Sequence, residues 1–340
     1  MVKAQPVVPM GVGDPMPRIT LPLANGALFD SFGASSDGRA HIYWIAAPPP
    51  AADAARMERA LAEHETDLHV VSRIPPTDPQ ACTSWLLDRG DELARTFAAA
   101  GPLAIVVDAS NRVASLLASP TPIDVVDCVS RLYASTVPEV VQAKAPILML
   151  DRVVEPDLCR RLIDYWRHGD KIENRVGSMS GNVVNADVKR RIDVQLDDPD
   201  LFVALRDRLV RRVMPAVARS FHAAVGVLEA PVIGCYDARC GGCFHRHRDN
   251  TSVWTAHRQF AVSINLNEAE EYDGGELRFP EYGRHLYRPP AGAVVAFSTS
   301  LLHEVMPVTR GCRFGVFTFM SANAPAARAM PPGRRRLSPG

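Results

Sequence analysis

His247 and Asp249 stand two residues apart in the segment His245-Arg246-His247-Arg248-Asp249-Asn250. Residues at i and i+2 of an extended strand project from the same face, so an imidazole and a carboxylate at this spacing can grip one metal ion without a turn between them. A third ligand must come from elsewhere, and His303 lies in the apolar run Leu301-Leu302-His303-Glu304-Val305, a strand that an antiparallel sandwich can bring alongside the first. Two imidazoles and one carboxylate on one face of a metal leave the other positions open, the donor set expected of a non-haem Fe(II) centre that admits O2. His245 shares the parity of His247, but a fourth protein ligand would fill an open position, so it is expected to stand behind the ligands. Cys240-Gly241-Gly242-Cys243, followed by His245 and His247, has the spacing of a zinc knuckle or a thiol redox pair. A closed zinc site would consume His247 and leave Asp249 and His303 without a role, whereas the iron reading uses all three. His257 and His285 read as loop residues.

The elements that must position these residues lie in the second half of the chain. From Val232 onward, short strands are expected at Phe260 to Leu266, Gly275 to Phe279, Ala293 to Phe297, Leu301 to Val305 and Arg313 to Met320, separated by Gly, Pro and Asp turns as in an antiparallel sandwich or barrel. Before them, Pro156 to His168 is an amphipathic helix with Leu158, Leu162, Ile163 and Trp166 on one face. Pro199 to Ala223 reads as another, with Leu201, Leu205, Leu209 and Val213 recurring every four residues. Asn174 to Val188, rich in Gly, Ser and Asn, is a loop suited to select substrate or merely to connect.

The first half reads differently. A strand at His41 to Ala46, a helix at Ala51 to Glu65, a strand at Leu68 to Ile74, a helix at Asp91 to Ala99, a hairpin of Leu103 to Asp108 with Arg112 to Leu117, and a Thr121-capped helix at Pro122 to Ala134 follow the thioredoxin plan. The Pro-containing stretch 136–146 is the expected linker. The organisation predicted is a two-domain α+β chain: residues 1–135 an α/β domain, 147–321 the metal-bearing domain, and 322–340 a disordered tail.

Composition narrows the setting. Lys plus Arg (38) balances Asp plus Glu (38), which disfavours a nucleic-acid binder. The start of the chain does not read as a signal peptide, and no apolar run approaches a membrane span, so no membrane association is expected. Seven scattered cysteines fit a reducing cytoplasm better than a disulfide framework. Only Lys3, Lys144, Lys171 and Lys189 are lysines; the remaining basic residues are arginine.

The surroundings of the ligands add a resemblance. Gly274-Gly275-Glu276-Leu277-x-Phe279 and His303-Glu304-Val305-x-Pro307-Val308-Thr309-x-Gly311-x-Arg313, in this order after His247-x-Asp249, resemble the prolyl 4-hydroxylase-like family of Fe(II)/2-oxoglutarate-dependent dioxygenases over roughly Ile147 to Met320. The resemblance implies a double-stranded β-helix (jelly roll) with His247, Asp249 and His303 as iron ligands. It implies hydroxylation of an unactivated C–H bond in a prolyl, amino-acid-like or other small-molecule or peptide substrate, with succinate and CO2 as coproducts and ascorbate as a possible aid to turnover. It places Arg313 where the family binds the distal carboxylate of 2-oxoglutarate, and an always-ionised guanidinium suits that dianion. Tyr236 stands where a tyrosine contributes to the same pocket, and Asn265 is a further candidate for lining it.

In the first half, Val12-Gly13-Asp14-x-x-Pro17, Leu21-Pro22 and Asp88 through Val113 resemble a peroxiredoxin or redoxin-type thioredoxin domain. Where that family carries its peroxidatic cysteine this chain has Ala47-Pro48-Pro49-Pro50, so a docking or scaffold role is expected, and Cys82 is not expected to replace the thiol. Pro102 stands where such a fold carries a cis proline. A different class of reading is a noncatalytic metal-binding adaptor with a degenerate redoxin domain.

Overall fold

The computed structural model describes residues 9–322 apart from 34, 35, 37, 46–48, 77–83, 135–139, 142, 174, 179, 180 and 185–188. Cys82, Ala47, Pro48 and all but the first residue of the predicted tail therefore lie outside the described residues. The chain divides into two compact units between Val140 and Val141.

The first unit is built on a five-stranded sheet in the order Trp85–Leu87, Thr66–Ser72, Ala40–Ile45, Leu103–Val107, Val113–Ala118. The first three strands are parallel, and the last two run antiparallel to their neighbours. Alternation along the central strands sends Ile42, Trp44, Ala104 and Val106 against the helices Ala51–Ala62 and Pro122–Tyr133, and sends Tyr43, Ile105 and Val107 to the opposite core. Thr121 caps the second helix in a reciprocal box with Asp124. The helix expected over Asp91 to Ala99 shortens to Glu92–Thr96, because Asp91 and Ala98 both take positive φ and the capping carboxylate is Asp88, which accepts from the N–H groups of Glu92 and Leu93. Pro102 does not have the cis peptide expected of it: its peptide is trans, the ordinary preference of an X–Pro bond, and its carbonyl accepts the Ser119 N–H across the hairpin. His41 and His69 are buried side by side, His41 Nδ1 3.1 Å from His69 Nε2, and His69 Nδ1 is 2.7 Å from Ser84 Oγ.

The second unit contains two antiparallel sheets. The larger, nine-stranded sheet runs Ile147–Leu150, Val294–Ser298, Phe260–Asn265, Val308–Ser321, Val232–Asp237, Ile192–Gln195, Ile172–Glu173, with two short strands added on Val308–Ser321. The smaller runs Lys189–Arg190, Cys243–His247, His303–Val305, Leu277–Arg278, Leu286–Tyr287. Successive residues of the larger sheet alternate between two cores. Phe260, Val262, Ile264, Val294, Ala296, Phe314 and Val316 pack on the helix side with Leu158, Leu162, Leu205 and Leu209. Ala261, Val295, Phe297, Phe317 and Tyr236 face inward, against Leu277, Phe279, Val305 and Phe244 of the smaller sheet region. Burial on both faces explains why these strands read as nearly continuous apolar runs. The arrangement is that of a jelly-roll sandwich.

The helix expected as one rod over Pro199 to Ala223 is interrupted. Pro199–Arg208 is α-helical, Leu209–Val213 is a π segment closed by the Met214 N–H on the Leu209 carbonyl, and Met214–Phe221 resumes the α form. Pro215 has no N–H to give the preceding turn, so the helix widens just before it. Within the expected loop 174–188 the described part forms a ribbon of Arg175–Ser178 with Gly181–Val184. Ala145, inside the predicted linker, is buried in the inward core of the second unit.

Candidate metal centre

His247 ends the Cys243–His247 strand, and His303 begins its neighbour, directly opposite in register. Asp249 is not on the strand as the two-residue spacing suggested: it lies in the turn that follows, held by its N–H to the Thr299 carbonyl. The three side chains nonetheless converge, with one donor atom from each within 4.8 Å of the others, and they form the one such group among the described residues. His247 Nε2 is 3.5 Å from Asp249 Oδ1, and His303 Nε2 is 3.5 Å from Asp249 Oδ2.

The second ring nitrogens fix these orientations. His247 Nδ1 is 2.7 Å from the His245 carbonyl, and His303 Nδ1 is 3.0 Å from the Leu301 carbonyl. Each carbonyl can only accept, so each Nδ1 carries a proton, and Nε2 is the ring nitrogen turned toward Asp249. Burial pushes the His303 imidazole below its ordinary pKa, more than Asp249 raises it, so the ring is neutral. Burial alone would raise the Asp249 carboxyl, but His303 and His247 outweigh it and hold the group below the usual carboxylate range. A neutral His303 and an ionised Asp249 are protonation states that a divalent metal requires of its ligands. Bonds of ~2.1 Å at right angles would place donor atoms ~3 Å apart. The two His–Asp separations are 3.5 Å and all three donors lie within 4.8 Å of one another, so one ion can be reached by all three and the residues fit it.

His245 does not share the ligands' face. The strand pairing shifts between Phe244 and His247, which inserts a bulge and breaks the parity on which the expectation rested. His245 is exposed, with Nε2 3.9 Å from the Cys243 sulfur. The bulge lets the Phe244 ring stack on His247, centroids 3.5 Å apart. Cys240 is exposed and Cys243 buried, and neither belongs to the metal-capable group. His257 and His285 are in loops, His257 beside Glu229.

Arg313, Tyr236 and Asn265 meet deeper in the inward core. Arg313 and Tyr236 are register partners on adjacent strands. Arg313, only 2% exposed, donates from Nη1 to the Gly275 carbonyl at 2.7 Å and from Nε to Asn265 Oδ1 at 3.4 Å. Gly275 takes φ +72°, and a Cβ there would come within 3.0 Å of Arg313 Cδ, so this glycine admits the arginine. Asn265 also accepts from the Tyr272 hydroxyl, while its amide donates to the Asn267 and Pro289 carbonyls. With its amide so committed, Asn265 holds Arg313 in place. Tyr236 accepts at its hydroxyl from Arg191 Nη1, 3.3 Å away.

Three residues of this interior are absent from the sequence reading: Lys189, Arg191 and Asp193. Asp193 takes Arg191 through both oxygens, at 2.6 and 3.0 Å, and Lys189 Nζ at 2.6 Å. All three are buried. Burial, then Arg191, lower the Lys189 ammonium to about 8 despite Asp193 and Asp249. The signal was the charged run Lys189-Arg190-Arg191-Ile192-Asp193, which the fold divides between two short strands of different sheets, Lys189–Arg190 and Ile192–Gln195.

Residues 232–321, the span containing all three candidate ligands and Arg313, match the family described as the 2OG-Fe(II) oxygenase superfamily. A PKHD-type hydroxylase of Synechococcus sp. (strain JA-2-3B'a(2-13)) is 33% identical over 101 residues, 28% of this chain and 44% of the relative. The chain thus spans less than half the length of that relative. A PKHD-type hydroxylase of Pseudomonas fluorescens (strain Pf0-1) is 26% identical over 181 residues, 50% of this chain and 76% of the relative. Among solved structures, a Pseudomonas putida prolyl-4-hydroxylase aligns with 53% of this chain and 95% of its own, at 20% identity and a TM-score of 0.41. The family match and the hydroxylase relatives support an enzyme of the dioxygenase or hydroxylase kind.

Proposed function

We propose that the second unit is an Fe(II)- and 2-oxoglutarate-dependent dioxygenase that hydroxylates an unactivated C–H bond of a prolyl, amino-acid-like or other small substrate. The observation that carries this reading is the convergence of two Nε2 atoms and one carboxylate, with both Nδ1 protons spent on backbone carbonyls, in the same inward core as a buried arginine. His247, Asp249 and His303 would hold the iron. Arg313, steadied by Gly275 and Asn265, would take the distal carboxylate of 2-oxoglutarate, and Tyr236 would stand beside it. When bound, iron would activate O2, the oxidant, with two electrons given by 2-oxoglutarate as it leaves as succinate and CO2 and two by the hydroxylated C–H bond. Phe244, Phe279 and Phe297 set apolar rings beside the ligand histidines, a lining that would limit water at the reacting centre. Ascorbate would support turnover by keeping the metal reduced.

For the first unit we propose a thioredoxin-like domain that docks a partner or presents substrate, supported by its parallel trio of strands with an added antiparallel pair. A cytoplasmic setting is proposed from the scattered cysteines, six of which are free among the described residues; no helix among the described residues is long and apolar enough to cross a membrane. The test of the enzymatic reading is succinate formation from 2-oxoglutarate by the full chain with Fe(II) and O2. It should be abolished in His303→Ala and Asp249→Ala, and persistence of full turnover in either variant would overturn it.

A further inference from the structure

Glu281 lies outside the segments that carry the metal ligands, yet its carboxylate touches both of them. It projects from the short turn Pro280–Tyr282, anchored in the inward core by Phe279 and Tyr282, and the Phe279 ring stands 6.2 Å from that of His303. On one side Glu281 takes the fork of Arg248, the residue between His247 and Asp249, with Nη2 2.6 Å from Oε1 and Nη1 3.3 Å from Oε2. On the other side Oε2 accepts the Leu302 N–H at 3.1 Å, one residue before His303. Arg248 also donates to the Ser300 carbonyl, and Asn250 Nδ2 reaches Ser300 Oγ at 2.7 Å. The carboxylate thus closes a set of bonds between the two ligand-bearing segments.

The Leu302 contact gives this arrangement a chemical consequence. The peptide group joining Leu301 to Leu302 presents its N–H to Glu281 and its carbonyl to His303 Nδ1, 3.0 Å away. A chain of hydrogen bonds therefore runs from a carboxylate through one peptide group to a candidate ligand imidazole. An anion accepting at the N–H end polarises the amide and makes its carbonyl a better acceptor, which tightens the hold on the Nδ1 proton and raises the electron density at Nε2. Partners behind a ligand histidine set its ring orientation and basicity in this way. Arg248 first, then the Leu302 N–H, hold the Glu281 carboxyl below the usual carboxylate range, so the charge is present at neutral pH. An ion pair this open to solvent, with side chains 36% and 41% exposed, ordinarily adds little to stability. His247 gives its own Nδ1 proton to the His245 carbonyl, on a peptide group that Glu281 does not touch.

We propose that Glu281 is a positioning residue of the metal centre: through the peptide between Leu301 and Leu302 its carboxylate sets the orientation and donor strength of the His303 ring, and Arg248 holds the carboxylate in place. The inference rests on the metal-centre reading above and adds to it a residue behind the triad.

The test uses the full chain. Anaerobic Fe(II) titration should give about ten- to hundredfold weaker affinity in Glu281→Ala, and Glu281→Gln, which keeps an acceptor for Leu302 but no charge, should fall between it and the unmodified protein. Asp164→Asn, which breaks an exposed pair with Arg167 on the helix Pro156–His168, should keep the unmodified affinity. The melting temperature of the metal-free chain should stay within about 3 °C in all three variants. The second readout is the pair of imidazole N–H proton resonances in the Zn(II)-loaded chain, told apart by proximity to the Phe297 ring for His303 and to the Phe244 ring for His247. Glu281→Gln should move the His303 signal upfield and leave that of His247 in place, a selectivity that general loosening of the fold would not produce. Unchanged Fe(II) affinity in Glu281→Ala overturns the proposal, as does a Glu281→Gln spectrum in which the His303 signal stays or both signals move together. If Glu281→Ala does not fold, the Glu281→Gln spectrum decides alone. Failure of the unmodified chain to bind Fe(II) refutes the metal-centre reading instead, and the proposal falls with it.

Discussion

Replacing Gly275 by alanine isolates the placement of Arg313 from its charge. The new Cβ would sit at φ +72°, 2.9 Å from Val308 Cγ2 and 3.0 Å from Arg313 Cδ. The left-handed conformation alone costs about 1–2 kcal/mol for a residue with a side chain. In a unit of this size that lowers the melting temperature by roughly 2–8 °C. Both close neighbours are side-chain atoms, so they can shift by a few tenths of an ångström, and for Arg313 that shift loosens the 2.7 Å bond to the Gly275 carbonyl. If Arg313 holds 2-oxoglutarate, a weakening of about 1–2 kcal/mol raises its dissociation constant roughly 5- to 30-fold. The assay is an anaerobic 2-oxoglutarate titration of the iron-loaded protein, paired with thermal unfolding. Gly283→Ala is the control: it also has positive φ, but its Cβ would meet only His285 Cδ2 at 3.8 Å, so it should lose stability and keep 2-oxoglutarate affinity. A Gly275→Ala protein with the lowered melting temperature but unchanged affinity would refute the role given to Arg313.

Asn265→Ala removes the acceptor shared by Arg313 and Tyr272 and leaves the Asn267 and Pro289 carbonyls short of a donor. It should cost about 1–3 kcal/mol in urea unfolding and weaken 2-oxoglutarate binding, and wild-type values in both would contradict its positioning role. His245→Ala and Cys240→Ser should retain Fe(II) at full stoichiometry in metal analysis, since neither side chain joins the converging triad; loss of metal in either would revive the zinc-knuckle reading. In the first unit, burial and then His41 depress His69 to about 3, whereas the unfolded chain protonates it near ~6.5. The unfolded state thus binds the proton first as pH falls, so stability is full above ~6.5 and declines progressively toward 3. Hydrogen exchange in the Ala40–Ile45 and Thr66–Ser72 strands, corrected for intrinsic rates, should quicken between pH 7.5 and 5, and His69→Gln should flatten that dependence. An identical pH dependence in the variant would dismiss His69 as its source.

Much of the metal site was legible because His247 and Asp249 stand two residues apart and His303 lies in an apolar run that reads as a neighbouring strand. The parity rule held for His247 and failed for His245, since one inserted residue at Phe244 turns the bulged strand over, and no local composition marks that insertion. Asp249 reached the same point from a turn instead of a strand, so the correct residue was named for an incomplete reason. Lys189, Arg191 and Asp193 went unread because a mostly charged run, Lys189-Arg190-Arg191-Ile192-Asp193, ordinarily marks a solvated strand edge. The pairing of Ile192–Gln195 with Val232–Asp237, across Gly234, turns Asp193 inward beside Arg191, whereas Lys189 is placed by the pairing of Lys189–Arg190 with Cys243–His247. A Cβ at Gly234 would meet Asp193 Oδ1 at 2.6 Å and Arg191 Cδ at 2.7 Å, so this glycine admits the buried pair. The break at Pro215 was visible as a residue, but the four-residue leucine spacing continued through it and concealed the π segment.

The central claim is that His247, Asp249 and His303 form one iron site that also receives a 2-oxo acid. The direct measurement is the visible absorption of the full chain under anaerobic conditions with equimolar Fe(II) and excess 2-oxoglutarate, repeated for His303→Ala. The account predicts the weak charge-transfer band of a chelated 2-oxo acid in the unmodified protein and its loss in the variant. A band of equal intensity and equal iron dependence in His303→Ala would contradict it.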